Sequence, residues 1–395
     1  MLFHILSLKL SFKKYVLYIS LFLFAWFSGA LFWMVQLDNG VYALGIYFSF
    51  YLVIFILFYA LQKITKASPV IFFPFFLGVE FLLNSSTVSY PWLTLGNALG
   101  NSYYLVQWYS ITGVLGGSLW LLLLGYLFLK RVEQKVNLKI MILAVSLPIV
   151  ISFGLLIIKN QKPNDKTPLR VTTIDTEYFT KQSQKARFTY DIIKGIPENE
   201  IDYLLLPEMT LRGLDNKGYE KTKVYRQFRE ELRNNHVKKI IIGTTGVKGK
   251  DSIVNSAIMM SKDMVFSKNK NRLVPYTEYI YPSIQPYFDD LFFVPNVPDT
   301  SKEIHKLGDA VFICYESFFP YYIAEESKNV ELLVLLSSEI FMKGSFYGKK
   351  QYDDIVRLRA IETNKQLVKS TSAGKSYVLN TSGKIIQSGR SKFNL

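Results

Sequence analysis

The sequence has little of two residue types on which many enzyme sites depend. It contains one cysteine, Cys314, and three histidines, His4, His236 and His305, which lie far apart in the chain. A single cysteine excludes an internal disulfide and a zinc site built from several thiolates. The histidines also lack the close spacing of a metal-binding pair. We therefore expect no metal and no cofactor.

Charged residues are scarce too, and their distribution divides the chain. Asp, Glu, Lys and Arg make up 19% of the residues, whereas 50% are hydrophobic. Up to about residue 160 the sequence is a series of apolar blocks, and beyond it the charges are spaced as in a globular domain. We predict a transmembrane domain in residues 1–160 and a water-facing domain in residues 161–395. The net charge of +15 is typical of topology signals and surface solvation, and we find no nucleic-acid-binding module.

The first half predicts about five membrane spans. A helix needs roughly 20 apolar residues to cross a bilayer core of ~30 Å, and four blocks approach or exceed this length: 15–36, 41–61, 105–129 and 140–158. A fifth block, 69–83, is shorter and contains Glu80, which we expect to face the protein interior or a polar cavity. The first block is too long for a signal peptide and lacks a small-residue cleavage site, so we expect it to be retained.

Lysines and arginines in the loops indicate the orientation. They occur before the first block, between blocks 41–61 and 69–83, and between blocks 105–129 and 140–158, whereas residues 38–40 and 84–101 contain none. Positive loops stay in the cytoplasm. The pattern therefore places the N-terminus in the cytoplasm and residues 161–395 outside it, which in a bacterium is the periplasmic side of the inner membrane.

The second half alternates strand-like and helix-like stretches, which is typical of a layered α/β domain. Three of its polar residues lie at the ends of strand-like stretches or just beyond them: Glu208, Lys270 and Cys314. Strand ends and their loops are where a rigid sheet presents catalytic groups. Each residue alone has an ordinary explanation, namely a capping carboxylate, a solvated lysine and a buried thiol.

The order and context of these residues resemble the nitrilase superfamily. Glu208 ends the run Leu-Leu-Pro-Glu, Lys270 opens a K-x-[HR]-L-V-P motif, and Cys314 opens C-Y-E. The stretches RLVPYTEY, ICYESFFP, RLRAIE (357–362) and PWLTLGN are similar to apolipoprotein N-acyltransferases, the membrane-bound branch of that superfamily. The sequence departs from the family pattern at Leu206, at Thr277 and over residues 337–341.

The resemblance implies an α-helical transmembrane bundle followed by an αββα nitrilase-like sandwich with a Glu-Lys-Cys triad. Cys314 would be the nucleophile and Glu208 the general base. Lys270, with the backbone N–H of Tyr315, would stabilise the oxyanion. Two further acidic residues of the motifs, Glu278 and Glu316, would orient the lysine and the substrate amine.

The implied reaction moves a fatty acyl chain from a phospholipid to Cys314 as a thioester. The chain then passes to the N-terminal amine of a diacylglyceryl-cysteine apolipoprotein. Phosphatidylethanolamine is the usual donor in this family, and nothing in the sequence demands more than a monomer. Two alternatives stay open: a membrane-tethered amidase of the same fold that uses water as acceptor, and an inactive membrane scaffold.

Overall fold

The computed structural model describes most of both halves of the chain. The described residues are 1–66, 68–87, 89–161, 171–173, 201–212, 223–234, 237–248, 252–275, 277–279, 309–342 and 344–388. The chain forms two compact units. The first comprises Met1–Ser85, Pro91–Lys159 and Phe341–Leu358, and the second Ser86–Tyr90, Asn160–Ile340 and Arg359–Leu395.

The first unit is helical because its sequence consists of long apolar runs without strand alternation. Its helices from the N-terminal half are α1 (Leu2–Ser7), α2 (Phe12–Leu31), α3 (Gly40–Thr65), α4 (Phe72–Ser85), α5 (Tyr109–Val132) and α6 (Leu138–Gln161). Short 3-10 helices cover Phe32–Gln36, Pro69–Ile71, Pro91–Leu93 and Leu95–Leu105.

Within the described residues, three helices are long and apolar enough to cross a membrane: Gly40–Thr65, Tyr109–Val132 and Leu138–Lys159. The other two predicted spans correspond to α2, which has 20 residues, and to the shorter apolar helix around α4. The count of about five spans stays a prediction.

Glu80 on α4 faces the interior of the first unit, as expected for a carboxylate in an apolar helix. Its side chain is 1% exposed, and Oε1 accepts a hydrogen bond from the Leu95 N–H at 2.7 Å. One turn along the helix, Asn84 Nδ2 donates to Thr94 Oγ1 at 2.9 Å. These two side chains fix the loop that follows α4.

The second unit contains two five-stranded sheets of the same design. One has the order β1-β2-β3-β4-β5 and the other β10-β9-β8-β7-β6. In each sheet the first three strands in sequence pair in parallel and the remaining two add as antiparallel neighbours. The strands are β1 (Val171–Thr173), β2 (Ile201–Arg212), β3 (Val237–Lys248), β4 (Ser252–Ser261), β5 (Val265–Asn269), β6 (Asp309–Ile313), β7 (Leu332–Ser338), β8 (Gln366–Ser372), β9 (Tyr377–Leu379) and β10 (Ile385–Ser388).

The period-2 alternation of strand side chains builds two layers of core. In the middle of β2 and β3, the odd-numbered residues Leu205 and Ile241 pack in one cluster with Val334 and Val368 of the other sheet. Their even-numbered neighbours pack instead against Phe228 and other residues on α7 (Lys223–Arg233). The sheets therefore face each other, with a helix on the outer side of the first.

Two more helices lie in the described part of the second half of the chain. They are α8 (Pro320–Glu326) and α9 (Phe346–Thr363), and 3-10 helices cover Cys314–Phe318 and Ile340–Met342. An α-helical segment followed by an α/β domain is thus confirmed. The sequence also predicts a helical stretch that ends at residue 194, and an apolar segment between the Lys270 and Cys314 motifs that could form either a lid or a packed loop. The first of these, and all of the second beyond residue 279, lie outside the described residues.

Candidate active site

Glu208 lies in an irregular part of β2, not beyond its end as expected. β2 and β3 pair in register up to Leu206 and resume at Leu211 with a shift. Pro207 has no N–H to donate to the ladder, and Met209 has a φ of 57°. The strand therefore bulges where the carboxylate leaves it, and bulges of this kind re-aim side chains.

Lys270 directly follows β5 and is held by two carboxylates. Its Nζ lies 2.9 Å from Glu208 Oε1 and 2.8 Å from Glu278 Oε1, and its side chain is 1% exposed. Burial alone would lower the pKa of Lys270, but the negative charges of Glu208 and Glu278 and the hydrogen bond to Glu278 raise it well above its usual value. Lys270 is therefore a cation at neutral pH.

Glu208 accepts hydrogen bonds at both oxygens. In addition to the Lys270 contact, Asn255 Nδ2 donates to Oε1 at 2.7 Å. The backbone N–H of Ser338, at the end of β7, donates to Oε2 at 3.0 Å. The carboxylate is thus fixed by one group on β4, one just after β5 and one at the end of β7.

Cys314 follows β6 and begins the short 3-10 helix. Its φ is 46°, a left-handed conformation that is rare for a residue other than glycine, and its side chain is 8% exposed. Burial and the charge of Glu208 raise the pKa of the thiol well above its usual value, against the opposing effects of Lys270 and the Ser338 N–H. The thiol is therefore protonated at neutral pH, and it would need a base in order to act as a nucleophile.

The two glutamates that we expected to support the site accept hydrogen bonds from backbone groups near Lys270 and Cys314. Glu278 Oε2 accepts from the Val274 N–H at 2.9 Å. Glu316 is fully buried and accepts from the N–H groups of Asn271 at 2.6 Å and Ile313 at 2.8 Å. Glu316 thus joins the loop that carries Lys270 to the end of β6, the strand directly before Cys314. The other expected supporting residue, Tyr315, is buried, and its hydroxyl donates to Ser89 O at 2.6 Å.

Sequence reasoning missed three groups of the site. Asn255 and the Ser338 N–H both bind Glu208. The Lys268 ammonium lies 3.4 Å from Glu316 Oε2 and 4.9 Å from the centre of the Phe312 ring. The strand that carries Lys268 was also not predicted. The signal that could have found these residues is the strand register, which the spacing of polar residues along one chain does not give.

Family comparisons cover nearly the whole chain. The family model of the carbon-nitrogen hydrolases matches residues 171–394. The chain belongs to this family. The model of the apolipoprotein N-acyltransferase N-terminal domain matches residues 1–127, so the helical half has counterparts in that group.

Several curated relatives named apolipoprotein N-acyltransferase match this chain over most of their own length. An apolipoprotein N-acyltransferase of Coxiella burnetii is 24% identical over 88% of this chain and 73% of its own. The enzyme of that name from Haemophilus influenzae is 24% identical over 87% of this chain and 70% of its own. The one from Chlorobaculum tepidum is 21% identical over 91% of this chain and 78% of its own. These names, with the three apolar helices, support a bacterial membrane protein and an N-acyltransferase of lipoprotein maturation.

Among solved structures, an amidase of the nitrilase superfamily from Nesterenkonia is 14% identical, with a TM-score of 0.41 over 56% of this chain and 87% of its own. A carbon-nitrogen hydrolase from Helicobacter pylori is 16% identical, with a TM-score of 0.41 over 57% and 86%. The match to the carbon-nitrogen hydrolase model over residues 171–394 confirms the predicted nitrilase-like class of the α/β domain.

Proposed function

We propose that this membrane protein transfers a fatty acyl chain from a phospholipid to the N-terminal amine of diacylglyceryl-cysteine in an apolipoprotein. The observation that carries the proposal is the buried cluster of Glu208, Lys270 and Cys314. It lies in a chain whose other half matches the N-terminal domain of apolipoprotein N-acyltransferases. The cluster supplies a base, a cation and a nucleophile, and the membrane half gives access to lipid-anchored substrates.

In the first half-reaction Glu208 takes the proton from the Cys314 thiol as the sulfur attacks the ester carbonyl carbon. The negative charge that develops on the carbonyl oxygen is stabilised by the Lys270 ammonium and the Tyr315 N–H. The tetrahedral intermediate then breaks its C–O bond. The Glu208 carboxyl returns the proton to the departing oxygen, which leaves as the hydroxyl of a lysophospholipid, and the acyl chain stays on Cys314 as a thioester.

In the second half-reaction the acceptor amine attacks the thioester carbon. Glu208 takes a proton from the amine and gives it to the departing Cys314 sulfur as the C–S bond breaks. An amide is formed and the thiol is regenerated. No proton is gained or lost over the cycle, so one carboxylate serves as base and acid in both steps.

Cys314 is buried and protonated at rest, and this supports the use of a nearby base. A thiolate already present at neutral pH would leave Glu208 no proton to take. Lys270 is tied to both Glu208 and Glu278, so it stays charged and fixed before substrate arrives. Such preorganised charge is worth more than a charge that must reorient during the reaction.

We propose phosphatidylethanolamine as the donor, a monomer as the working form and the periplasmic side of the inner membrane as the location of the α/β domain. The charge pattern of the loops supports the orientation. Two lipid-anchored substrates would require the reacting groups to be near a bilayer surface, which is the purpose we assign to the membrane helices.

The test is intact-protein mass spectrometry of the full chain after incubation with phosphatidylethanolamine vesicles. We expect the wild type to gain one fatty-acyl mass that hydroxylamine removes, and Cys314→Ala to gain none. Cys314→Ser is the matched control, because any ester formed on serine would resist mild hydroxylamine. A folded wild type without an adduct would contradict the phospholipid-donor mechanism. Cys314-dependent hydrolysis of small amides in that case would favour an amidase.

A further inference from the structure

A buried ion pair lies next to the site and has no part in the proposed chemistry. Glu339 Oε1 and Lys369 Nζ are 2.5 Å apart, and their side chains are 1% and 0% exposed. Removing two charges from water is costly, and well-packed apolar residues often stabilise a protein equally well in such a place. The pair therefore calls for an explanation other than stability.

The Glu339 carboxylate is held in one place. Thr371 Oγ1 donates to its Oε1 at 3.1 Å, and the backbone N–H of Glu339 donates to Ser372 O at 2.9 Å. A Cβ added to Gly374 would lie only 2.2 Å from Oε1, so the chain passes against the carboxylate without room for a side chain. Lys369 and Thr371 are two residues apart on β8 and project from the same face of the sheet.

Glu339 is the residue at which the chain leaves β7. The β7–β8 register pairs Ser337 with Thr371 and Ser338 with Ser372, so the ladder ends at Ser338 and the anchored Glu339 comes next. The direction of the Ser338 N–H depends on the path of the peptide through this corner. That N–H donates to Glu208 Oε2 at 3.0 Å and also toward the Cys314 sulfur.

We propose that Glu339 and Lys369 are positioning residues that hold the Ser338 N–H between Glu208 and Cys314. The inference rests on the proposed function only in taking Cys314 as the nucleophile. Neither side chain needs to touch a substrate. Their effect is exerted through one backbone donor that serves both the base and the thiol.

The experiment measures the rate at which iodoacetamide alkylates Cys314 in the full chain, as a function of pH. Losing the Ser338 donor raises the thiol pKa, so we expect the profiles of Glu339→Gln and Lys369→Met to move to higher pH. A shift of one unit makes alkylation about tenfold slower at pH 7. The charged groups that act on the thiol, Glu208, Lys270 and Glu278, are unchanged in both variants.

Three further variants sharpen the result. Lys369→Arg keeps the cation and should restore most of the rate. The double variant with both Glu339→Gln and Lys369→Met should be no slower than the slower single variant, because the two residues act as one unit. Thr371→Val removes only a neutral hydrogen bond to Glu339 and gives a milder shift in the same direction if the double variant does not fold.

Lys239→Met is the matched control. It breaks another ion pair, with Asp309 at 2.5 Å, but Asp309 lies at the opposite end of β6 from Cys314, so the alkylation profile should not change. Folded Glu339→Gln and Lys369→Met with wild-type profiles would overturn the proposal, as would an equal shift in Lys239→Met. Alkylation needs no lipid. A wild type that is alkylated but forms no thioester would therefore contradict the proposed function alone.

Discussion

At the scale of single residues, Lys270 is the cation on which the proposed oxyanion stabilisation depends. We expect Lys270→Met to slow formation of the Cys314 thioester by about 10²–10³-fold, the usual effect of removing one such stabilising group. The substitution also leaves Glu208 and Glu278 buried without their shared cation, so folding is checked by thermal unfolding. Mass spectrometry of single-turnover reactions gives the rate. Lys262→Met, at an exposed lysine, should react like the wild type, and a fast Lys270→Met would remove the lysine from the mechanism.

The raised pKa values of Cys314 and Lys270 also determine how stability depends on pH. In both cases the folded pKa lies above the usual value, so the folded protein holds protons that the unfolded chain has lost at alkaline pH. The stabilisation is complete below the ordinary thiol pKa of about 8.5 and is lost as the pH rises through the folded values. We expect the unfolding temperature to fall between pH 8 and 10, and to fall less in Cys314→Ser. If the unfolding temperatures of the wild type and Cys314→Ser fall equally, the thiol contributes nothing to the pH dependence of stability.

At the scale of elements, the bulge of β2 has a matching glycine on β3. A Cβ on Gly243 would lie 2.2 Å from Pro207 O and 2.5 Å from Glu208 Cα. We therefore expect Gly243→Ala to cost about 1–3 kcal/mol in unfolding free energy, as overpacking does. It should also slow thioester formation, because Glu208 is pushed from its place; a shift of about 1 Å can cost roughly 10²-fold. Gly154→Ala is the control, since nothing lies within 4 Å of the added carbon. Full activity in Gly243→Ala would show that the bulge tolerates displacement.

The sequence predicted the elements that carry the chemistry better than the contacts between them. The apolar runs before Glu208 and Cys314 read as buried strands because β-branched and large aliphatic residues fill both faces of a central strand. β5 was missed, since its Phe-Ser-Lys-Asn run has too few apolar residues. The Glu339–Lys369 pair was also missed, because these residues lie 30 positions apart in the sequence and nothing there indicates that β7 and β8 are neighbours. Which partners meet depends on register, and register is set by the whole sheet.

At the scale of the whole molecule, the two compact units do not coincide with the two halves of the sequence. Residues Phe341–Leu358 belong to the same compact unit as the N-terminal helices, whereas Arg359 onward belongs to the other. Helix α9 (Phe346–Thr363) therefore starts in one unit and ends in the other. Hydropathy alone predicts a single boundary near residue 160, because the α9 sequence has the charge content of a water-facing helix. A shortened protein of residues 161–395 would lack the helices against which the first turns of α9 pack.

Gln351 on α9 holds this arrangement together within the first unit. Its Oε1 accepts from the indole N–H groups of Trp33 and Trp92, each at 3.0 Å, and its Nε2 donates to Ala30 O at 2.8 Å. Gln351→Leu removes this partner from three partly buried polar groups, and a buried polar group left unsatisfied costs at most about 1–3 kcal/mol. We expect a marked drop in the thermal unfolding temperature in detergent. Gln351→Glu keeps both acceptor contacts and loses only the donor, so its unfolding temperature should lie between those of Gln351→Leu and the wild type. If the leucine variant unfolds at the wild-type temperature, the contacts of Gln351 with the N-terminal helices do not stabilise the protein.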